Sequence, residues 1–319
     1  MAVKVSHSTL APAKTKQRSG TSKWRQIVQD RWMYAFMLPG LGYFLLFVYF
    51  PMLGNVIAFK KYSPFIGIRD SPWVGLENFQ RLLSDPMFER ALVNTLQIEF
   101  LQLLFAFPAP LLLALLLNSL VSEPIKRTIQ SIVYLPHFLS WVIVVALWQQ
   151  VFGGAGVINQ YLRDNGHETL NIMGNPDFFK PLVVLQSMWK DIGWGTIIFL
   201  AALTKIDLQL YEAAAMDGAN GRRRLLDVTL PGIRGVVILL LILRMGSMFS
   251  TGFEQYFLQR NAVGPEAAEV LDTLVYTLGF QSGQWSFAAA VGLMRGVVAA
   301  FLIFFANWLA KKYGEEGLL

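Results

Sequence analysis

Five charges stand inside otherwise apolar runs of this sequence: Glu99, the adjacent Lys190 and Asp191, Arg244 and Arg295. A charge at the centre of a bilayer costs about 2.5–3.5 kcal/mol on insertion scales, so each must pair with another group or line a polar path. Lys190 and Asp191 are helix neighbours and do not face each other. At least one of them must therefore reach another span. Glu99 and Asp191 are the expected counter-ions of Arg244 and Arg295. Structural pairing and contact with a passing solute both remain open for every one of these charges. No nucleophile–base or metal constellation of the kind an enzyme needs accompanies them. His7, His137 and His167 lie far apart, and with no cysteine the chain has neither a disulfide framework nor a thiolate metal site. The G-x-x-x-x-G-K-[ST] phosphate cradle is also absent, so the chain cannot hold nucleotide in the Walker manner. These residues read as helix-packing pairs or as the polar lining of a passage.

The surrounding elements must be membrane helices. Of 319 residues 54% are hydrophobic and only 15% charged, with a mean hydropathy of +0.45. Soluble domains carry about 25% charged residues. A span needs about 20 apolar residues, and six such runs are read: about 33–59, 90–120, 128–152, 181–203, 228–249 and 286–310. Prolines at 39, 51, 108 and 110 fall inside them and are expected to kink their helices. The first run is expected to be an uncleaved anchor, because it is too long for a signal h-region. The expected organisation is a basic tail (1–31), a six-helix transmembrane domain (32–311) with a cytoplasmic loop at 207–227, and a short C-terminus (312–319).

The net charge is +6, but its placement matters more than its sum. With the N-terminus inside, inside segments hold about fifteen Lys and Arg and outside segments about seven. That bias puts both termini and the 207–227 loop in the cytoplasm. It assigns the basic charge to membrane orientation and lipid rather than nucleic acid. The long turn-rich outside segments 153–180 and 251–285 either cap the bundle or receive a partner.

The 207–227 loop leads into "EAAAMDGANGRRRLLDVTLPG", Glu212 to Gly232. Asp207 fits an N-cap for a helix from Leu208. Leu208, Tyr211 and Ala215 share one face of it, and Gly218 fits its C-terminal break. A second short helix carries Arg222, Arg223 and Arg224, and Leu230-Pro231 opens the next span, where proline costs little. Such an exposed hairpin suits a groove of a soluble partner. It would equally suit an interfacial helix on anionic lipid.

The residues themselves carry a further signal. Glu212-Ala213-Ala214, Asp217-Gly218 and Val228-x-Leu230-Pro231 resemble the EAA loop of ABC-importer permeases, with Val228 in place of the usual Ile. "YLPHFLSWVIVVALWQQVF", "WKDIGWGTIIFLAALTKID", "GFEQYFL" and "AAEVLDTLVYTLGF" resemble the polysaccharide and lipoprotein-type branch of the carbohydrate importers. The resemblance runs from about residue 30 to the end and excludes the basic tail.

This resemblance implies an all-α, six-span permease of the type I importer fold in a bacterial cytoplasmic membrane. It implies alternating access driven by two separate ATPase subunits, which would hold ATP and Mg, while this chain binds no cofactor. It further implies a second, homologous permease, most simply as a heterodimer, and an extracytoplasmic binding protein that delivers an oligosaccharide. Glu212, Ala213, Ala214, Asp217, Gly218, Leu230 and Pro231 would form the dock for the ATPase. By position relative to the EAA glutamate, Ser187, Lys190, Asp191, Trp194, Arg244, Ser247 and Met248 would line the substrate pathway. A tryptophan beside polar groups suits a sugar's apolar face and hydroxyl edge. The cationic positions would favour uronate-containing sugars. Two alternatives stay open: an ABC permease for a non-sugar solute, and a self-sufficient secondary carrier.

Overall fold

The computed structural model describes residues 30–249, 252–312 and 314. Most of the expected basic tail and most of 312–319 lie outside the described residues. Apart from a lone antiparallel bridge between Lys60 and Trp73, every regular element among the described residues is helical.

The chain divides into two units, Met1–Gly54 and Asn55–Leu319. In the first, helix α1 begins at Arg31, and none of its residues through Met52 is buried. In the second, the main helices are α2 (Pro86–Ser119), α3 (Glu123–Tyr134), α4 (Trp141–Phe152), α5 (Phe179–Leu203), α6 (Leu208–Met216), α7 (Gly221–Ser247), α8 (Phe253–Val263), α9 (Leu271–Tyr276) and α10 (Trp285–Lys312). Among the described residues, five segments are long and apolar enough to cross a membrane: Arg31–Phe59, α2, Trp141–Asp164, α7 and α10. The sixth expected span, α5, has the length, at 25 residues. Gln186, Lys190 and Asp191 at its centre lower its apolarity.

Two expected boundaries are corrected. The run read as one span over 128–152 is two helices. Its first part ends at Tyr134, a 3-10 turn covers Leu135–Phe138, and α4 starts afresh at Trp141 with Ser140 as its N-cap. Pro136 within the turn cannot supply the N–H that a continuous helix needs. The arginine helix and the next span, read as separate, are instead one continuous helix, α7.

Prolines bend these helices in one recurring way. π-helical turns at Leu45–Tyr49, Gln102–Ala106 and Leu225–Thr229 stand just before Pro51, Pro108 and Pro231. A proline lacks a donor and its ring crowds the carbonyl four residues back. Phe47, Leu104 and Asp227 hold those carbonyl positions, and each lies inside its π turn. Widening the turn by one residue relieves the clash without ending the helix.

Small residues let the second unit close around α5. This helix packs chiefly on Pro108–Ser119 of α2, and Thr196 donates to the Pro110 carbonyl at 3.2 Å. A Cβ on Gly195 would stand 2.8 Å from the Pro110 ring, and one on Gly193 would stand 2.6 Å from the Val133 carbonyl carbon of α3. Ala114, Phe199, Ala202, Leu203 and Ile233 then form a core shared by α2, α5 and α7.

Gly193→Val is expected to lower the thermal midpoint of the purified protein, since overpacking costs about 1–3 kcal/mol. Gly292→Ala, with nothing near its added carbon, is expected to leave it unchanged or raise it. Differential scanning fluorimetry in detergent separates the two.

Candidate functional site: a polar cavity and an exposed hairpin

Helices α2, α5 and α7 enclose a cavity of about 340 Å³, whose walls include Gln102, Pro110, Ser187, Asp191, Arg244 and Ser247. Four of the seven expected pathway residues therefore meet there: Ser187, Asp191, Arg244 and Ser247. Ser187 donates to the Gln255 amide oxygen of α8 at 3.2 Å, and the Ser247 hydroxyl turns back to the Arg244 carbonyl at 3.0 Å.

Arg244 makes an ion pair behind this wall. Its Nη2 lies 2.9 Å from Glu99 Oε2 and also donates to Gln102 Oε1. Gln102 in turn donates to the Tyr256 hydroxyl at 3.3 Å. Glu99 and Gln102 are three positions apart in α2 and so share a face. Glu99 is 1% exposed, while the Arg244 side chain is 32% exposed. Of the pair, Arg244 lines the cavity and Glu99 does not.

Lys190 and Asp191 separate as their adjacency requires. Lys190 is buried and donates to the carbonyls of His137 at 2.6 Å and Leu139 at 2.7 Å, which holds the turn between α3 and α4. Asp191 lies on the cavity side, 2.8 Å from His137 Nδ1. The His137 ring stacks on Trp194 at 4.6 Å with an interplanar angle of 7°. Trp194 thus stands beside the polar group but spends one face on imidazole.

Met248 lies elsewhere. It packs against the Phe88, Phe249 and Leu271 cluster and lines a separate, apolar cavity of about 440 Å³. The expected counter-ion of Arg295 is also corrected: Arg295 pairs with Asp272 of α9, not with Glu99 or Asp191. Asp272 escaped the sequence reading because it lies in a segment taken as an outside loop. Gln102 and His137 were missed as site residues too. The i,i+3 spacing of Gln102 from Glu99 was the available signal, while nothing in the sequence linked His137 to Asp191.

In the segment after α8, Glu269 lies 3.1 Å from Arg260. Burial pushes its carboxyl above the ordinary value, and the arginine beside it pulls the other way. Asn94 of α2 donates to the carbonyls of Glu266 and Glu269, both at 3.0 Å, which fixes this segment on the bundle.

The hairpin is built as its sequence predicts. The Asp207 side chain accepts from Gln209 N at 2.9 Å and caps α6. At the other end the amides of Gly218 and Ala219 donate to the carbonyls of Ala215 and Ala214, at 3.0 and 2.9 Å. This paired closure needs a left-handed residue, and Gly218 supplies it at φ +75. Asn220 caps α7 by accepting from Arg223 N at 2.9 Å. The Tyr211 hydroxyl meets the Thr229 hydroxyl at 2.8 Å and ties the two arms together. The face is not the expected one, however: Leu208 is 74% and Met216 89% exposed, while Tyr211 and Ala214 turn inward. Glu212, Ala213, Asp217 and Gly218 are exposed, whereas Leu230 and Pro231 sit at the start of the next long segment of α7.

Long apolar helices around a charged cavity, with a rigid hairpin projecting between two of them, define a membrane permease subunit. Comparison with known proteins gives the family. The chain belongs to the family described as the binding-protein-dependent transport system inner membrane component, whose model matches residues 106–315. It is 48% identical to Protein LplB of Bacillus subtilis (strain 168) over 300 residues, 94% of each chain. It is 47% identical to the polygalacturonan/rhamnogalacturonan transport system permease protein YteP of the same strain, over 92% of each. A chain of the bacterial alginate ABC transporter, solved in complex with an alginate pentasaccharide-bound periplasmic protein, superposes with a TM-score of 0.85 at 36% identity. That match covers 93% of this chain and 99% of the other. The protein is accordingly the transmembrane subunit of an ABC importer with the type I permease fold. It is a translocation subunit and not an enzyme.

Lys190→Met would leave the His137 and Leu139 carbonyls without their charged donor. Bonds to charged groups contribute about 1.5–3 kcal/mol, so the 135–140 turn should loosen. Faster limited proteolysis or hydrogen exchange in that turn, with a lower thermal midpoint, is the expected result.

Proposed function

We propose that the chain carries oligosaccharides inward across a bacterial cytoplasmic membrane and that its cargo includes uronate-bearing saccharides. The observation that carries this reading is Arg244, whose side chain is 32% exposed and lines a cavity whose remaining lining is mostly apolar. A uronate offers that wall a carboxylate for the guanidinium and apolar C–H faces for the rest. The cargoes in the relatives' names, polygalacturonan and rhamnogalacturonan for one and alginate for another, are polysaccharides that fit the same chemistry. Ser187, Asp191 and Ser247 supply hydroxyl partners in this reading, with Trp194 and Lys190 shaping the wall behind them.

The same reading puts both termini and the hairpin in the cytoplasm, in keeping with the Lys and Arg bias. Glu212, Ala213, Ala214, Asp217 and Gly218 dock on an ATPase subunit, and Leu230-Pro231 passes the motion into the span. Exposed Leu208 and Met216 give that dock an apolar anchor beside the Glu212 charge. Two ATPase subunits with ATP and Mg, a second permease and an extracytoplasmic binding protein complete the machine. ATP binding favours the outward state, where the loaded binding protein docks. Hydrolysis restores the inward state. Each ligand acts only through its preference for one state.

Two outcomes are expected. Glu212→Lys should abolish uptake by the reconstituted complex while leaving assembly of the permease pair and its thermal midpoint intact. Normal uptake in that variant would remove the docking role. In proteoliposomes of the unaltered complex, binding protein loaded with uronate oligosaccharides should stimulate ATPase activity more than the same protein with neutral ones. Stimulation by a non-sugar solute alone would reassign the cargo.

A further inference from the structure

The Arg244–Glu99 pair has an unequal build. Both bonds of the guanidinium described above run through Nη2, one nitrogen of a group that carries five N–H donors. Glu99 is fully enclosed, and among the described residues its Oε1 has no hydrogen-bond partner. The acid cannot reach the cavity and so cannot touch cargo. The arginine does reach the cavity wall, with a neutralising charge directly behind it. The other charged wall residue, Asp191, has His137 beside it at 2.8 Å. Each charge at the cavity is therefore backed by a group on another element.

From this geometry we infer that Glu99 is a specificity-setting residue: it competes with the carboxylate of an acidic saccharide for the Arg244 guanidinium. The inference rests on the uronate reading above and adds a residue to it. Arg244 donates to Glu99 and Gln102. An arriving carboxylate shares the guanidinium and finds its attraction partly spent. Interior charges act at low effective dielectric, so one opposing charge at contact distance weakens that attraction substantially. A carrier needs this restraint, because cargo held too firmly does not leave. Gln102, anchored to Tyr256, keeps the guanidinium aimed along the wall in either condition.

The test measures binding and turnover separately. The intact complex, with partner permease and ATPase subunits, is titrated by calorimetry with trigalacturonate and with its methyl ester, which keeps the shape and removes the charge. The unaltered complex is expected to prefer the acid. Glu99→Gln is expected to tighten binding of the acid about tenfold and to leave the ester unchanged. Its maximal uptake of the acid in proteoliposomes should fall, because release slows. Equal shifts for acid and ester, or no shift in either, would overturn the role of Glu99 while the uronate reading stands. If the unaltered complex binds acid and ester alike, both the reading and the inference fall. The double variant Glu99→Gln with Arg244→Gln replaces the pair by two neutral amides and guards against a folding defect of the single change. It is expected to lose the preference for acid, and a retained preference would also overturn the inference.

Discussion

Inside this bundle a charge is tolerated only when a second element answers it. Glu99 of α2 and Arg244 of α7 meet at 2.9 Å, and Gln102 and Tyr256 extend their contact to α8. Removing Arg244 would leave the Glu99 charge buried and unpaired, at a cost of about 3–5 kcal/mol. The same rule joins Arg295 of α10 to Asp272 of α9 and Lys190 of α5 to the turn after α3. Three tertiary ties thus come from residues that hydropathy alone would have forbidden. The cavity lies where these ties leave polar atoms at a wall.

Backbone constraints set how the hairpin reaches that cavity. In lipid every peptide group must find a partner within its own segment, so a proline must be absorbed and not allowed to end the helix. The π turn at Leu225–Thr229 does this ahead of Pro231. As a result α7 runs unbroken from the arginines beside the hairpin to Arg244 and Ser247 at the cavity. At 1.5 Å per residue, Gly221 and Arg244 are about 35 Å apart along one helix. The Tyr211–Thr229 bond clamps α6 to its base. The hairpin is thereby tied to one continuous helix.

The apolar and polar sides of the site are divided by the same economy of small residues. Gly193 and Gly195 bring α5 against α3 and α2, which leaves Asp191 at the cavity and directs Lys190 to the backbone of the turn. Adjacent residues on a helix cannot share a face, and here one serves the cavity while the other holds its frame.

Much of this was written in local sequence. Apolar run length and charge depletion specify spanning helices, and Asp207 and Gly218 specify where α6 starts and stops, because caps and left-handed turns depend on neighbours a few residues away. The EAA spacing specified the family for the same reason. What the sequence could not say was which distant groups meet. That Arg244 chose Glu99, that Arg295 chose Asp272, that His137 joined Asp191 and Trp194, and that Met248 turned to another cavity are matters of helix rotation and register. The span read over 128–152 divided at Pro136, and the arginine helix fused with α7. The first outcome depended on Lys190 standing ready for the free carbonyls of the turn, and the second on the π turn that absorbs Pro231. Short-range hydrogen bonding fixed the elements, and only their packing decided which charges face one another and which face the cavity.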